Sequence, residues 1–114
     1  MITIDKLKEL GANTGEGLTR CMDDEEFYLS LIPSAFEKAR YDALSSQIKA
    51  KDFLSAFETA HALKGVLSNL ALTPLSDTLS EMTELLRDGT DTDYAPLLDR
   101  MWEQFDKYDK AVKG

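Results

Sequence analysis

Apolar residues recur along most of the chain at the three- and four-residue spacing of an α-helix, and no segment alternates apolar and polar positions as a strand would. A short helix is predicted at about residues 3–10, followed by a loop at 11–22 that contains three of the six glycines. Four long helices follow, at residues 23–49, 52–70, 74–88 and 92–112. Short connections favour antiparallel neighbours, so the pattern predicts an all-α, antiparallel up-down four-helix bundle with a short extra N-terminal helix.

Local signals support the starts of these helices. Asp23 and Asp52 are candidate N-caps, because a carboxylate can accept hydrogen bonds from free amides of the first turn. Thr73 followed by Pro74 is typical of a helix start. Pro33 lies inside the first long helix, where it lacks the hydrogen-bond donor that the preceding turn needs. We therefore expect a kink at Pro33.

Size and charge restrict the class of protein. The chain has 114 residues, of which 43% are hydrophobic, which suits a single domain over residues 1–114. Its 13 basic and 21 acidic residues give a net charge of −8, which argues against nucleic acid or an anionic membrane as partner. No apolar run approaches the ~20 residues of a spanning helix, and the first residues lack the pattern of an export signal. We expect a cytoplasmic monomer.

The rarest residue types restrict the chemistry. The chain has one histidine and one cysteine. These numbers exclude a disulfide within the chain and a zinc site built from several His or Cys ligands. The acidic run at residues 23–26 is better explained by helix capping than by a metal site. Any imidazole chemistry in this chain must therefore use His61.

His61 lies on the predicted 52–70 helix, roughly 110° from the middle of its apolar face, and so points toward solvent. Lys64 follows one turn later. Gly65 is the one glycine predicted inside a helix, where it costs about 1 kcal/mol relative to alanine. Its position four residues after His61 leaves the surface next to the imidazole bare.

These three residue types suit a reversible phosphoryl carrier. A neutral imidazole can act as a nucleophile toward phosphorus, a lysine can offset the charge of the phosphoryl group, and a glycine lets a bulky partner approach. Each residue also has an ordinary explanation. His61 can be merely solvated, Lys64 can cover the core with its stem, and Gly65 can allow close helix packing. Their combination on one helix surface favours the carrier.

Residues 60–65 have the sequence Ala-His-Ala-Leu-Lys-Gly, which resembles the His-x-Leu-Lys-Gly signature of histidine-containing phosphotransfer (HPt) domains. Residues 69–71, Asn-Leu-Ala, fall where that family often has Asn-Leu-Gly. The resemblance covers roughly residues 15 to 110. It implies a four-helix bundle in which His61 is the phosphoacceptor, Lys64 the charge partner and Gly65 the residue that provides steric clearance.

The resemblance also implies partners and cofactors. The phosphoryl group would come from, and pass to, an aspartate in the receiver domain of a response regulator or hybrid histidine kinase. That receiver domain would hold Mg²⁺, whereas this chain would bind no metal or cofactor and would have no kinase activity or ATP site. The receiver would dock around the histidine, on the flanking residues Leu54, Phe57, Glu58, Ala62 and Ser68.

Two positions depart from the family pattern. Ala71 replaces the common glycine, and Thr83 stands where many members have a Glu or Gln that can lie near the phosphohistidine. We expect both to affect the detail of the site.

Two alternative functions stay open at this stage. One is a helical adaptor that binds a signalling partner without phosphotransfer. The other is an enzyme that uses carboxylates, although the acidic residues are scattered over solvated faces.

Overall fold

The computed structural model describes residues 2–114, which form helices and turns and contain no strand. The prediction of an all-helical fold is confirmed. Within residues 2–114, seven α-helices and one 3₁₀ helix follow each other. They are α1 (Ile4–Glu9), α2 (Thr14–Arg20), α3 (Glu25–Leu31), the 3₁₀ helix (Ile32–Phe36), α4 (Lys38–Lys49), α5 (Phe53–Asn69), α6 (Leu75–Arg87) and α7 (Ala95–Lys113).

The prediction of a loop at residues 11–22 is wrong, because α2 lies within it. Asn13 begins this helix: its side-chain oxygen accepts a hydrogen bond from the amide of Glu16 at 3.2 Å. Gly17 falls in that predicted loop, but in the structure it allows close packing. A Cβ atom at Gly17 would come within 2.6 Å of the ring of Tyr28. The glycine therefore makes room for a buried aromatic side chain.

The prediction of one continuous helix at residues 23–49 is also wrong. The segment is divided into α3, the 3₁₀ helix and α4. Asp24 rather than Asp23 caps α3. Pro33 lies in the 3₁₀ helix, because a proline inside an α-helix removes one hydrogen bond and clashes with the preceding turn. The backbone of Glu37 is extended, so the helical segment that contains Pro33 ends there. The sequence predicts only a kink at this place.

The three later helices lie within one to three residues of their predicted bounds. Asp52 caps α5 by accepting a hydrogen bond from the amide of Ser55 at 3.3 Å. Helix α5 packs against both α4 and α6, while α7 packs against α6 and the 3₁₀ helix. None of the helices in residues 2–114 is long and apolar enough to cross a membrane.

The inner face of α5 is fully buried. It consists of Ala56, Ala60, Leu63 and Leu67. The two alanines allow neighbouring helices to come close, and the leucines enter the shared core. With this face buried, the opposite side of α5 must face solvent.

The N-terminal helices are tied to the C-terminal end of α5. The Tyr28 hydroxyl donates to the carbonyl oxygen of Leu70 at 2.8 Å, and the guanidinium of Arg20 donates to the carbonyl oxygen of Ser68. Burial raises the pKa of Tyr28 to about 12, so its hydroxyl stays protonated and remains a donor. Ala71 follows with φ +54°, in the left-handed region that glycine adopts without penalty. This conformation explains why a glycine suits that position.

We expect Gly17→Ala to lower the free energy of unfolding by about 1–3 kcal/mol, since the new methyl group would displace the Tyr28 ring and its bond to Leu70. Urea denaturation measures this change. Gly15→Ala is the matched control, because a Cβ there would meet only the Asn13 side-chain oxygen at 3.8 Å. An equal loss of stability in both variants would contradict the packing argument.

Candidate functional site

His61 is exposed on the solvent side of α5, immediately after the buried Ala60. None of the ion pairs found among residues 2–114 involves the imidazole. Its ring stacks on the ring of Phe57, one turn earlier, with centroids 5.6 Å apart and an interplanar angle of 17°. The imidazole is therefore accessible to a partner and supported on one side by an aromatic neighbour.

Gly65 lies on the other side of His61, one turn later. A Cβ atom built at Gly65 would meet nothing within 4 Å. The glycine is exposed, and no neighbouring helix approaches it. Close helix packing, the ordinary explanation for this residue, is therefore excluded. What the glycine leaves is open surface beside the imidazole.

Lys64 lies one turn from His61 and is half-buried. Among residues 2–114 it takes part in none of the ion pairs that the structure contains. No residue three or four positions from Lys64 on α5 is acidic, whereas Lys38 on α4 has Asp42 four positions away and pairs with it. The ammonium group of Lys64 is thus available to an anion that arrives from outside.

The predicted docking residues lie on both sides of His61. Spacings of three and four residues place Leu54, Phe57, His61, Gly65 and Ser68 along one flank of α5. Leu54 is 73% exposed and is the only exposed leucine among residues 2–114, whereas Phe57 and Ser68 are half-buried.

Glu58 and Ala62 are exposed, but they lie on the side of α5 that faces α4. There they line a shallow hollow together with Ala39, Arg40 and Ala43. The predicted docking set is therefore not one continuous patch. Its apolar part follows the flank of Leu54 and Phe57.

Sequence reasoning missed Arg87, which lies in the last turn of α6. In the structure the guanidinium of Arg87 lies over the ring of Phe57, 5.1 Å from its centroid, and pairs with Glu84 at 3.5 Å. The packing of α6 against α5 brings this cation to the site. No local pattern relates positions 57 and 87, so only tertiary structure reveals the contact.

Two further exposed apolar residues were also missed. Met22 is 87% exposed and Phe27 is 47% exposed, and both lie in or near the connection from α2 to α3. Met22 has φ +57°, a left-handed conformation that costs about 1 kcal/mol or more for a residue with a side chain. Met22 falls in the predicted loop at residues 11–22 and Phe27 in the predicted helix at residues 23–49, and neither prediction indicates an exposed apolar side chain.

Thr83, the second departure from the family pattern, is buried on α6. Its hydroxyl donates to the carbonyl oxygen of Leu79 within the same helix, at 2.6 Å. Thr83 therefore contributes no polar group to the surface around His61. In residues 2–114 there is also no cluster of three or more His, Cys, Asp or Glu side chains that could hold a metal ion.

A sequence model of the Hpt domain matches residues 36–111, which include the whole of α4, α5 and α6 and most of α7. A search of curated proteins and a search of solved structures each gave no match. The match covers more than half of the chain and contains His61, Lys64 and Gly65. The chain belongs to the Hpt domain family, whose members are helical bundles that carry out histidine phosphotransfer in two-component phosphorelays.

Proposed function

We propose that this protein is a phosphorelay intermediate in which His61 accepts a phosphoryl group from an aspartate of one receiver domain and passes it to another. One observation carries the proposal: an exposed histidine lies beside a helical glycine that has open space around it. A glycine that costs helix stability and serves no packing purpose is best explained by a partner that must come close.

The proposed step is a direct exchange between two side chains. A lone pair of the neutral His61 imidazole attacks the phosphorus of the receiver's aspartyl phosphate. The bond from phosphorus to the aspartate oxygen breaks, and the carboxylate leaves with its electron pair. The imidazole then loses its remaining N–H proton to solvent. Transfer to a second receiver is the same exchange in the opposite direction.

Lys64 is proposed as the charge partner of the phosphohistidine. A phosphoryl group on the imidazole carries close to two negative charges, and the unpaired ammonium group one turn away can offset part of them. Mg²⁺ is expected in the receiver domain of the partner and not in this chain. We expect no ATP site and no kinase activity here, so the protein would act as a carrier.

The receiver is proposed to dock on the flank of α5 that contains Leu54, Phe57 and Ser68, with Glu58 and Ala62 at the side of α4. Leu54 lies two turns before His61 and is 73% exposed, so a partner that covers it would remove apolar surface from water. Such a contact supplies affinity without touching the reacting atoms.

Three finer expectations accompany this proposal. Helices α4 to α7 would form an antiparallel up-down bundle, because the turns between them are short, at residues 50–52, 70–74 and 88–94. The protein would act as a monomer, and it would work in the cytoplasm. Each partner would therefore meet a single copy of His61.

We expect His61→Gln to abolish phosphotransfer, because glutamine has a similar polar side chain but no nucleophilic nitrogen. The assay mixes the protein with a receiver domain that carries radiolabelled phosphate, in the presence of Mg²⁺. Wild-type protein should acquire an acid-labile, base-stable label, whereas the variant should acquire less than about 1% of it. Label on the variant would contradict the assignment. An adaptor would be indicated instead if wild-type protein acquired no label, and if wild type and His61→Ala bound the receiver equally well.

We expect Gly65→Leu to lower the rate of transfer from the receiver at least about tenfold, because the leucine side chain would occupy the space that the receiver needs. The fold should be retained, since the added side chain enters open space. Gly65→Ala is the small-side-chain control. It should keep most of the transfer and raise the free energy of unfolding by about 0.5–1 kcal/mol, as alanine favours the helix. Full transfer by Gly65→Leu would contradict the clearance argument.

We expect Lys64→Ala to slow transfer about three- to tenfold, because the phosphoryl charge would lose its nearby cation. Lys64→Arg should restore most of the rate, since it keeps the charge. Stopped-flow or quenched-flow labelling measures both variants. Equal rates for wild type and Lys64→Ala would contradict the charge role.

A further inference from the structure

His61 is held by an aromatic stack. The rings of Phe57 and His61 lie 5.6 Å apart at their centroids and are tilted by only 17°, which is the offset-stacked geometry of an aromatic pair. Side chains on a helix lean back toward its N-terminus, so the imidazole meets the residue four positions earlier. The position four residues later is Gly65, which offers no contact.

Phe57 is itself fixed from two other directions. Part of its side chain packs against the hydrophobic core. The guanidinium of Arg87 on α6 lies 5.1 Å from the centroid of its ring, within the ~6 Å range of a cation–π contact. Arg87 is held in turn by its ion pair with Glu84. The ring on which His61 stacks is therefore anchored to two helices.

An exposed histidine without such support would exchange among several side-chain rotamers. The stack on Phe57 favours one of them, and it leaves the side toward Gly65 free for an incoming phosphorus atom. A nucleophile that is already oriented reacts faster than one that must first find its orientation. This effect differs from docking, because it requires no contact between Phe57 and the partner.

We propose that Phe57 is a positioning residue that orients the imidazole of His61 for phosphoryl transfer. The inference rests on the proposed function of His61 and goes beyond it, because it assigns to Phe57 an effect on the reaction rate in addition to any contact with the receiver. An aromatic pair of this kind favours the stacked orientation by about two- to tenfold.

The first experiment tests the stack without phosphotransfer. The chain contains one histidine, so its two ring C–H signals in a proton NMR spectrum are assigned without ambiguity. We expect Phe57→Leu to move both signals, because the ring current of Phe57 is lost, and Phe57→Tyr to keep them near their wild-type positions. Phe53→Leu is the matched control: Phe53 lies one turn earlier and packs against Tyr94 in a tilted pair, with ring centroids 6.0 Å apart. Its replacement should leave the histidine signals in place.

The second experiment measures the rate with phosphoramidate, a small donor that needs no docking surface. The imidazole nitrogen forms a bond to phosphorus, the P–N bond breaks, and the donor nitrogen, already protonated as –NH3⁺, leaves as ammonia with the electron pair. The imidazole then releases its other N–H proton to water. We expect Phe57→Leu to slow this labelling about two- to tenfold, and Phe57→Tyr and Phe53→Leu to retain the wild-type rate.

The third measurement separates positioning from docking. With a labelled receiver, Phe57→Leu should lower the rate at saturating receiver concentration by the same factor as with phosphoramidate. Phe57→Leu could instead change only the receiver concentration that gives half of the maximal rate. Phe57 would then be a docking residue, and the inference would be overturned. Histidine signals that do not move in Phe57→Leu would overturn it as well.

The outcomes also separate this inference from the proposed function. If wild-type protein acquires no label from either donor, the proposed function fails. The NMR comparison then still decides whether Phe57 orients His61.

Discussion

The buried face of α5 is the constraint on which the rest of the site depends. Ala56, Ala60, Leu63 and Leu67 lie in the core between α4 and α6, so α5 cannot rotate about its axis without exposing them. Exposing one buried leucine would cost about 1.5–3 kcal/mol. The rotation of the helix is thereby set, and His61 must point to solvent. An exposed nucleophile on a rigid helix is the direct result of apolar burial on the opposite side.

The same helix geometry arranges the neighbours of His61. Residues four positions apart lie above each other on a helix, so Phe57, His61 and Gly65 form one row. In this row an aromatic ring supports the imidazole on one side and bare backbone leaves it open on the other. A carrier that must meet two partners in turn needs such access. It cannot enclose its nucleophile in a pocket, so orientation has to come from the helix itself.

Features that depend on residues close together in the sequence could be predicted, whereas features that depend on contacts between helices could not. Helices α5 to α7 were predicted within a few residues, because their periodicity and, for α5, the Asp52 cap are local signals. His61, Lys64 and Gly65 could be named as candidates for the same reason, since they lie on one helix. The packing role of Gly17 could not be predicted, because it depends on Tyr28, a residue on another helix. The contact of Arg87 with Phe57 was missed because it exists only once α6 packs on α5.

The two departures from the family pattern show how the scaffold limits the site. Ala71 adopts a left-handed conformation, so the turn after α5 keeps its shape despite the missing glycine, at a cost of about 1 kcal/mol. Thr83 is buried and bonds to its own helix, so no Glu or Gln side chain reaches the histidine from that position. In the proposed mechanism, polar support for the phosphoryl group comes from Lys64 on α5, and orientation comes from Phe57. In this proposal one helix supplies the nucleophile, its charge partner and its aromatic support, while the neighbouring helix α6 also fixes Phe57 through Arg87.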